Sequence, residues 1–303
     1  MTLDLRARLL EARPLLLDGA TGTELERRGS PTGLPLWSAH ALLEDPGLVQ
    51  GIHADYAAAG ADVLTANTFR TQRRTLARGG VGERAAELTS TAVALARRAA
   101  AEAGDRCPAF VVGSAPTLED CYRPELVPDD AALAREHAEH AAHLAAAGVD
   151  AILVETMNTV REAVAAARAA RGVGLPALVS FVCWDGPALL SGESLRRAVA
   201  AVRPEEPVAL LVNCLPPSNV AACLPELSAS GLPFGCYANL GAPADETGFA
   251  RSEECSPEQF ADGASGWLDA GARIVGGCCG TTPAHIRELA TRLRSHEPRS
   301  KDR

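Results

Sequence analysis

Arg273-Ile274-Val275-Gly276-Gly277-Cys278-Cys279-Gly280-Thr281-Thr282-Pro283 passes from an apolar strand through a glycine-rich corner into a helix. Thr282 reads as the N-cap and Pro283 as the first position of a helix over 283–294, with Ile286, Leu289 and Leu293 at helical spacing. This strand-then-helix unit is the last of a series. Apolar, strand-like runs lie at 15–18, 62–68, 109–114, 151–156, 177–183, 208–214, 234–239 and 273–277. Alanine-rich helical segments at 46–59, 82–103, 129–147, 160–171, 195–202, 218–229 and 257–270 alternate with them, and 283–294 closes the set. Eight alternations of strand and helix predict a single (β/α)8 TIM barrel over 1–295. A doubly wound open sheet is the alternative, but no Gly-x-Gly-x-x-Gly turn follows the first strand. The charged tail 296–303 is expected to fray.

Adjacent cysteines in a regular strand point to opposite faces, so Cys278 and Cys279 can share an ion only if the backbone turns between them. Gly276, Gly277 and Gly280 are expected to supply that turn. The helix start that follows favours thiolates through its partial positive charge. A disulfide between neighbours is disfavoured, since their Cα atoms sit about 3.8 Å apart and disulfides need roughly 4.4–6.8 Å. Locally, a metal site, a pair of buried structural thiols and redox chemistry all remain open. The barrel shifts that balance, because its active sites form where the strands end. The closing residues are Asp18, Asn67 with Thr68, Ser114, Glu155, Cys183, Cys214, Asn239, and Cys278 with Cys279. Cys214 ends the sixth run and the cysteine pair ends the eighth, and alternate strands contribute to one layer of a barrel interior. Three thiolates with an open fourth position are what a catalytic zinc ion requires, and soft sulfur ligands favour Zn2+ over harder metals.

The 303 residues are 47% hydrophobic and 22% charged, as expected of a globular chain with a sizeable core. A net charge of -9, with Lys only at position 301, argues against a nucleic-acid surface. No apolar run approaches the roughly 20 residues of a membrane span. Nine cysteines without a disulfide framework or signal peptide read as reduced thiols in a cytoplasm.

The segments Leu16-Leu17-Asp18-Gly19-Ala20-Thr21-Gly22, Ala66-Asn67-Thr68-Phe69, Glu155-Thr156, Asn213-Cys214 and Gly276-Gly277-Cys278-Cys279-Gly280-Thr281-Thr282-Pro283 together resemble the zinc-dependent homocysteine S-methyltransferase family. The resemblance spans about residues 14 to 294, essentially the whole predicted barrel. It implies that Cys214, Cys278 and Cys279 hold zinc, that homocysteine adds its own sulfur, and that methyl transfer yields methionine. It further implies that Glu155 takes the homocysteine ammonium, with Asp18 assisting. Backbone N–H groups of Gly19, Ala20 and Thr21 are suited to the carboxylate, as turns are to anions. A solvated strand-end acid is the plain alternative for Glu155, and a helix N-cap for Asp18. Trp37, Asn67, Asn213, Tyr237 and Asn239 are candidates for the methyl donor's pocket, or else polar and packing residues at strand ends.

The stretch around Leu36-Trp37-Ser38-Ala39, His53 and Asp55-Tyr56 is similar to members that take the methyl group from S-methylmethionine or S-adenosylmethionine. The segment 114–128 is shorter than in those members, and Cys121-Tyr122-Arg123-Pro124 looks more like other branches. Betaine-using members carry a tyrosine after the glutamate, where this chain has Thr156. Competing readings are an enzyme for another small thiol or selenol, a barrel served by a separate methyl-cobalamin or folate partner, and a non-catalytic zinc-stabilised barrel, closed by Cys236, that binds a thiol or a partner protein. The expected partners are small molecules, and self-association stays open. His137, His140 and His143 are expected on a partly exposed helix face, and Cys107, Cys121, Cys223 and Cys255 are without ligand-spaced partners.

Overall fold

The computed structural model describes residues 4–104, 110–242, 250–251 and 255–296. Eight parallel strands form one sheet: β1 (Leu15–Leu16), β2 (Val63–Ala66), β3 (Phe110–Ala115), β4 (Ala151–Met157), β5 (Ala177–Phe181), β6 (Ala209–Asn213), β7 (Phe234–Ala238) and β8 (Ile274–Gly277). They run in the order β1-β8-β7-β6-β5-β4-β3-β2. A parallel bridge between Leu17 and Val63 joins the two ends and closes the barrel. Asp62 secures that seam, accepting from Leu16 N at 2.9 Å and from Arg13 at 2.6 Å.

The intervening helices are α1 (Pro46–Ala59), α2 (Ala85–Glu102), α3 (Asp130–Ala147), α4 (Val160–Gly172), α5 (Leu195–Val202), α6 (Pro217–Ser228), α7 (Pro257–Asp269) and α8 (Pro283–His296). Local chemistry sets their limits. In α1, Asp45 caps Leu48 N, Pro46 opens the helix, and Gly60 ends it in a left-handed conformation at φ 105°. At α8, His285 Nδ1 accepts from Thr282 N at 3.2 Å, so the expected cap is completed by a histidine three residues on.

Strand alternation divides the core in two. Leu15, Leu17, Val63, Val112, Leu153, Leu178, Leu211, Tyr237 and Ile274 fill the barrel interior. Leu16, Leu64, Val111, Ile152, Val179, Leu210, Cys236 and Val275 face the helices, whose buried side chains complete a second, larger layer. Cys236 is therefore outside the barrel interior and cannot close a metal site there.

His137 and His140 are buried, not part of an exposed face. His137 Nε2 lies 3.2 Å from Glu162, and His140 Nε2 lies 3.0 Å from the carbonyl of Ser114. Burial drives the His140 pKa down to about 4, so a neutral ring donates to that carbonyl. The expectations for Cys107 and for the tail beyond residue 296 lie outside the described residues. Among the described residues no helix is long and apolar enough to cross a membrane.

Candidate active site

Cys214 follows β6 directly and adopts a left-handed conformation, φ 53°. That turn is costly for a residue with a Cβ, and surrounding contacts impose it. The Asn213 side chain accepts from Thr156 N at 3.0 Å and from Ser180 Oγ at 2.6 Å, and donates to Thr156 Oγ1 at 2.9 Å. Thr156, itself at φ 59°, directs its hydroxyl at Cys214 Sγ, and Trp184 Nε1 donates to the Cys214 carbonyl. Asn213 thus works behind the metal corner. It does not line the cavity, and neither does Asn239, whose buried side-chain amide has no hydrogen-bond partner among the described residues.

The cysteine pair is turned into the mouth by a different device. Only Gly280 has the left-handed backbone the sequence suggested for three glycines, φ 84°. A Cβ on Gly276 would overlap Leu17, and one on Gly277 would overlap Thr281, so close packing is what excludes side chains there. Cys278 N donates to Ala238 O and Leu240 N to Cys279 O, both at 2.7 Å, tying the corner to the end of β7. The outcome is a cluster in which the sulfur atoms of Cys214, Cys278 and Cys279 lie within 4.8 Å of one another. Cys214 Sγ and Cys278 Sγ are 2.8 Å apart. Cys278 is pushed toward thiolate because the other two thiols can hydrogen-bond to its anion, while Cys214 is pushed up for the complementary reason. Three convergent thiols with an open side fit a tetrahedral zinc ion that keeps one position for substrate.

Beside the sulfurs, Glu155 lies near the end of β4 with its carboxylate buried. Ser114 Oγ donates to Oε1, and Tyr237 OH donates to Oε2 at 3.0 Å. Burial, then the nearby Cys278 charge, raises its pKa to about 8. Tyr237 is thereby tied to the acid, and it also lines the cavity. Asp18 is buried too and caps no helix; it accepts from Thr65 N at 2.7 Å and Thr65 Oγ1 at 2.8 Å, and burial raises its pKa to about 7. The turn after it is clamped: Tyr56 OH donates to Ala20 O at 2.8 Å, and Gly280 N donates to Thr23 Oγ1 at 2.9 Å. Gly19 has no room for a Cβ against Tyr56 and Thr281.

These groups line one cavity of about 650 Å³. Its inner part holds Asp18, Gly19, Ala20, Thr21, Glu155, Tyr237 and the three cysteines. Loops beyond the ends of β1, β2 and β3 supply its outer wall, with Trp37, Phe69, Arg70, Asp120, Cys121, Tyr122 and Arg123, and Asn67 follows β2 directly. Trp37 meets Phe69 edge to face at 5.9 Å, and Tyr122 meets Trp184 at 6.2 Å. Asn67 Nδ2 donates to Ser38 O, holding the Trp37 segment over β2. Arg70 and Trp184 were not among the sequence candidates, and Tyr56, Cys121 and Tyr122 figured there only within stretches compared with members of known donor. The signal for Arg70 was the Phe69-Arg70 continuation of the second strand end.

A β/α barrel with a three-thiol metal corner beside a buried acid is a thiol-chemistry enzyme in form. The family model described as homocysteine S-methyltransferase matches residues 15–293, and the chain belongs to that family. It is 36% identical to the homocysteine S-methyltransferase of Escherichia coli, over 95% of this chain and 98% of that one. It is 31% identical to a selenocysteine Se-methyltransferase of Brassica oleracea var. italica, over 92% of this chain and 88% of the relative. The crystal structure of the homocysteine methyltransferase MmuM from Escherichia coli in its metallated form superposes with a TM-score of 0.82 at 33% identity, covering 95% of this chain and 99% of that chain.

Proposed function

We propose that the protein transfers a methyl group from a small sulfonium donor, S-methylmethionine or S-adenosylmethionine, to the sulfur of homocysteine, giving methionine. The observation that carries this reading is the convergence of Cys214, Cys278 and Cys279 with the buried Glu155 in one cavity. Cys214, Cys278 and Cys279 would hold zinc, which when bound supplies the positive charge that keeps an incoming thiol deprotonated at neutral pH. Glu155, ionised on contact with the substrate ammonium, fixes the amino-acid end, with Ser114 and Tyr237 orienting it. The clamped turn Gly19–Ala20–Thr21 presents backbone to the carboxylate. Trp37 and Tyr122 offer aromatic faces to a sulfonium centre. The acceptor sulfur forms the new S–CH3 bond as the donor's C–S bond breaks, the donor leaves as a neutral thioether, and alignment of the two substrates lowers the barrel's barrier to reaction.

A second acceptor is favoured by one observation, the relative that carries selenocysteine Se-methyltransferase in its name. Competition between homocysteine and selenocysteine for the same donor decides which is preferred. A closed four-thiolate site is not supported, because Cys236 faces the helices and Cys121 stands outside the three-sulfur cluster. The same reading assigns the chain to a reducing, cytoplasmic setting, since sulfurs 2.8 Å apart would otherwise be prone to oxidation. Self-association is left to measurement by sedimentation.

The test is methionine formation by zinc-loaded, reduced protein given homocysteine with S-methylmethionine, S-adenosylmethionine, betaine or methyltetrahydrofolate in turn. Methionine from a sulfonium donor, absent in Cys279→Ala, is the expected result. Methionine from betaine or folate alone would overturn the donor assignment.

A further inference from the structure

Of the two arginines that line the cavity, Arg123 pairs with Glu125, which leaves Arg70 as a cation the reading above does not use. It follows β2 at the start of a loop, half-buried, with its guanidinium carbon 5.2 Å above the Phe69 ring. Its Nε is enclosed and has no hydrogen-bond partner, and no ion pair of Arg70 occurs among the described residues. The acids whose charges reach it, Asp120 and Glu119, stand beyond ion-pair distance, and Glu119 is already held by Arg74 and Arg78. A guanidinium stays charged at any physiological pH, and a donor nitrogen cut off from water without an acceptor is costly. Its surroundings therefore call for an anion from outside the chain, and its planar donor fork matches a carboxylate.

Location says which molecule would bring that anion. The amino-acid end of the acceptor is served by Glu155 and the turn after Asp18, on β4 and β1. Arg70 belongs instead to the outer wall, with Phe69, Cys121 and Tyr122 from the loops after β2 and β3. Tyr122 ties this wall to the reacting centre, since the charges of Cys214, Cys278 and Cys279 all reach its phenol. A molecule lying along the wall would have one end beside the acceptor sulfur and the other at Arg70.

We propose that Arg70 is a specificity-determining residue that binds the carboxylate of the methyl donor, so that the outer half of the cavity selects sulfonium donors carrying a carboxylate. This rests on the sulfonium reading of the site. Three donors separate the contributions: S-methylmethionine, 3-(dimethylsulfonio)propionate, which keeps a carboxylate but has no ammonium, and trimethylsulfonium, which has neither.

Arg70→Gln should raise KM for the two carboxylate donors by about 10- to 100-fold, the range of one charge-assisted hydrogen-bonded contact. KM for homocysteine and the use of trimethylsulfonium should stay within about twofold, and Arg70→Lys should recover part of the loss because the charge is retained. Equal losses with all three donors, or a rise in homocysteine KM instead, overturn the proposal. Calorimetric binding of S-methylmethionine to the zinc-loaded protein without homocysteine gives the same comparison in the absence of turnover. Weaker binding to R70Q supports the proposal and equal binding sinks it. A wild-type protein that makes no methionine from any sulfonium overturns the reading of the reaction, while the calorimetric comparison still decides the role of Arg70.

Discussion

At the scale of single residues, Glu155 and Asp18 give the site its pH behaviour. Burial raises them from 4.5 to about 8 and from 3.8 to about 7. The folded metal-free protein thus keeps protons that the unfolded chain has already released, and the stability these groups contribute falls as pH rises from about 4 to about 8. Urea unfolding of reduced, chelated protein across that window should show the decline, and Glu155→Gln should flatten it; a stability that rises over the same interval would contradict the burial argument. The cysteines give a sharper outcome. Cys214→Ala or Cys279→Ala should lower bound zinc, measured by elemental mass spectrometry, from about one per chain to near zero, since two thiolates cannot complete the three-ligand set of a catalytic site. Methionine formation should drop with it by at least about a thousandfold.

At the scale of elements, the corners that end β4, β6 and β8 do the positioning. Asn213→Ala strands Thr156 N and Ser180 Oγ inside the barrel, and a loss of about 2–3 kcal/mol is expected by denaturant unfolding, with weaker zinc retention as the accompanying sign. Gly280→Ala places a methyl group against the Leu240 carbonyl at a left-handed position, with an expected cost of about 2–4 kcal/mol and the same effect on zinc. These corners also mark the limit of what the sequence discloses. The eight strand runs were legible because apolar stretches ended in polar residues at regular intervals, and Cys214 and the cysteine pair could be brought together from strand parity alone. The left-handed turns at Thr156 and Cys214 were not legible, because neighbours distant in sequence impose them on residues with no intrinsic preference for that region. Arg70 escaped notice, and Cys121 and Tyr122 were noticed but not aimed at the cavity, for a related reason. They sit in loops, where no periodicity indicates which way a side chain turns. His137 and His140 misled in the opposite sense: a polar spacing that looked exposed is buried because Glu162 and the Ser114 carbonyl are there to receive it.

At the scale of the whole molecule, the barrel closes between β1 and β2 through one bridge, the Asp62 side chain and the Asp18 carboxylate on Thr65. The turn that is proposed to take the substrate carboxylate leaves from that seam. Ligand at the site should therefore stiffen the closure, and amide exchange at Leu16, Leu17 and Asp18 should slow when zinc and homocysteine are added. Homocysteine at about 100 times its Kd should also raise stability by about 2.7 kcal/mol. The cavity shared by the two substrates has a further consequence. Glu155, Asp18 and Cys214 lie buried at its inner end, whereas Leu34 and Asp120 at its rim are exposed. A donor settled along the outer wall would block the way inward, so the two substrates queue: the acceptor enters first, and the methylated product leaves only after the spent donor. Product-inhibition kinetics should accordingly show a compulsory order, with the architecture of the cavity acting as the turnstile.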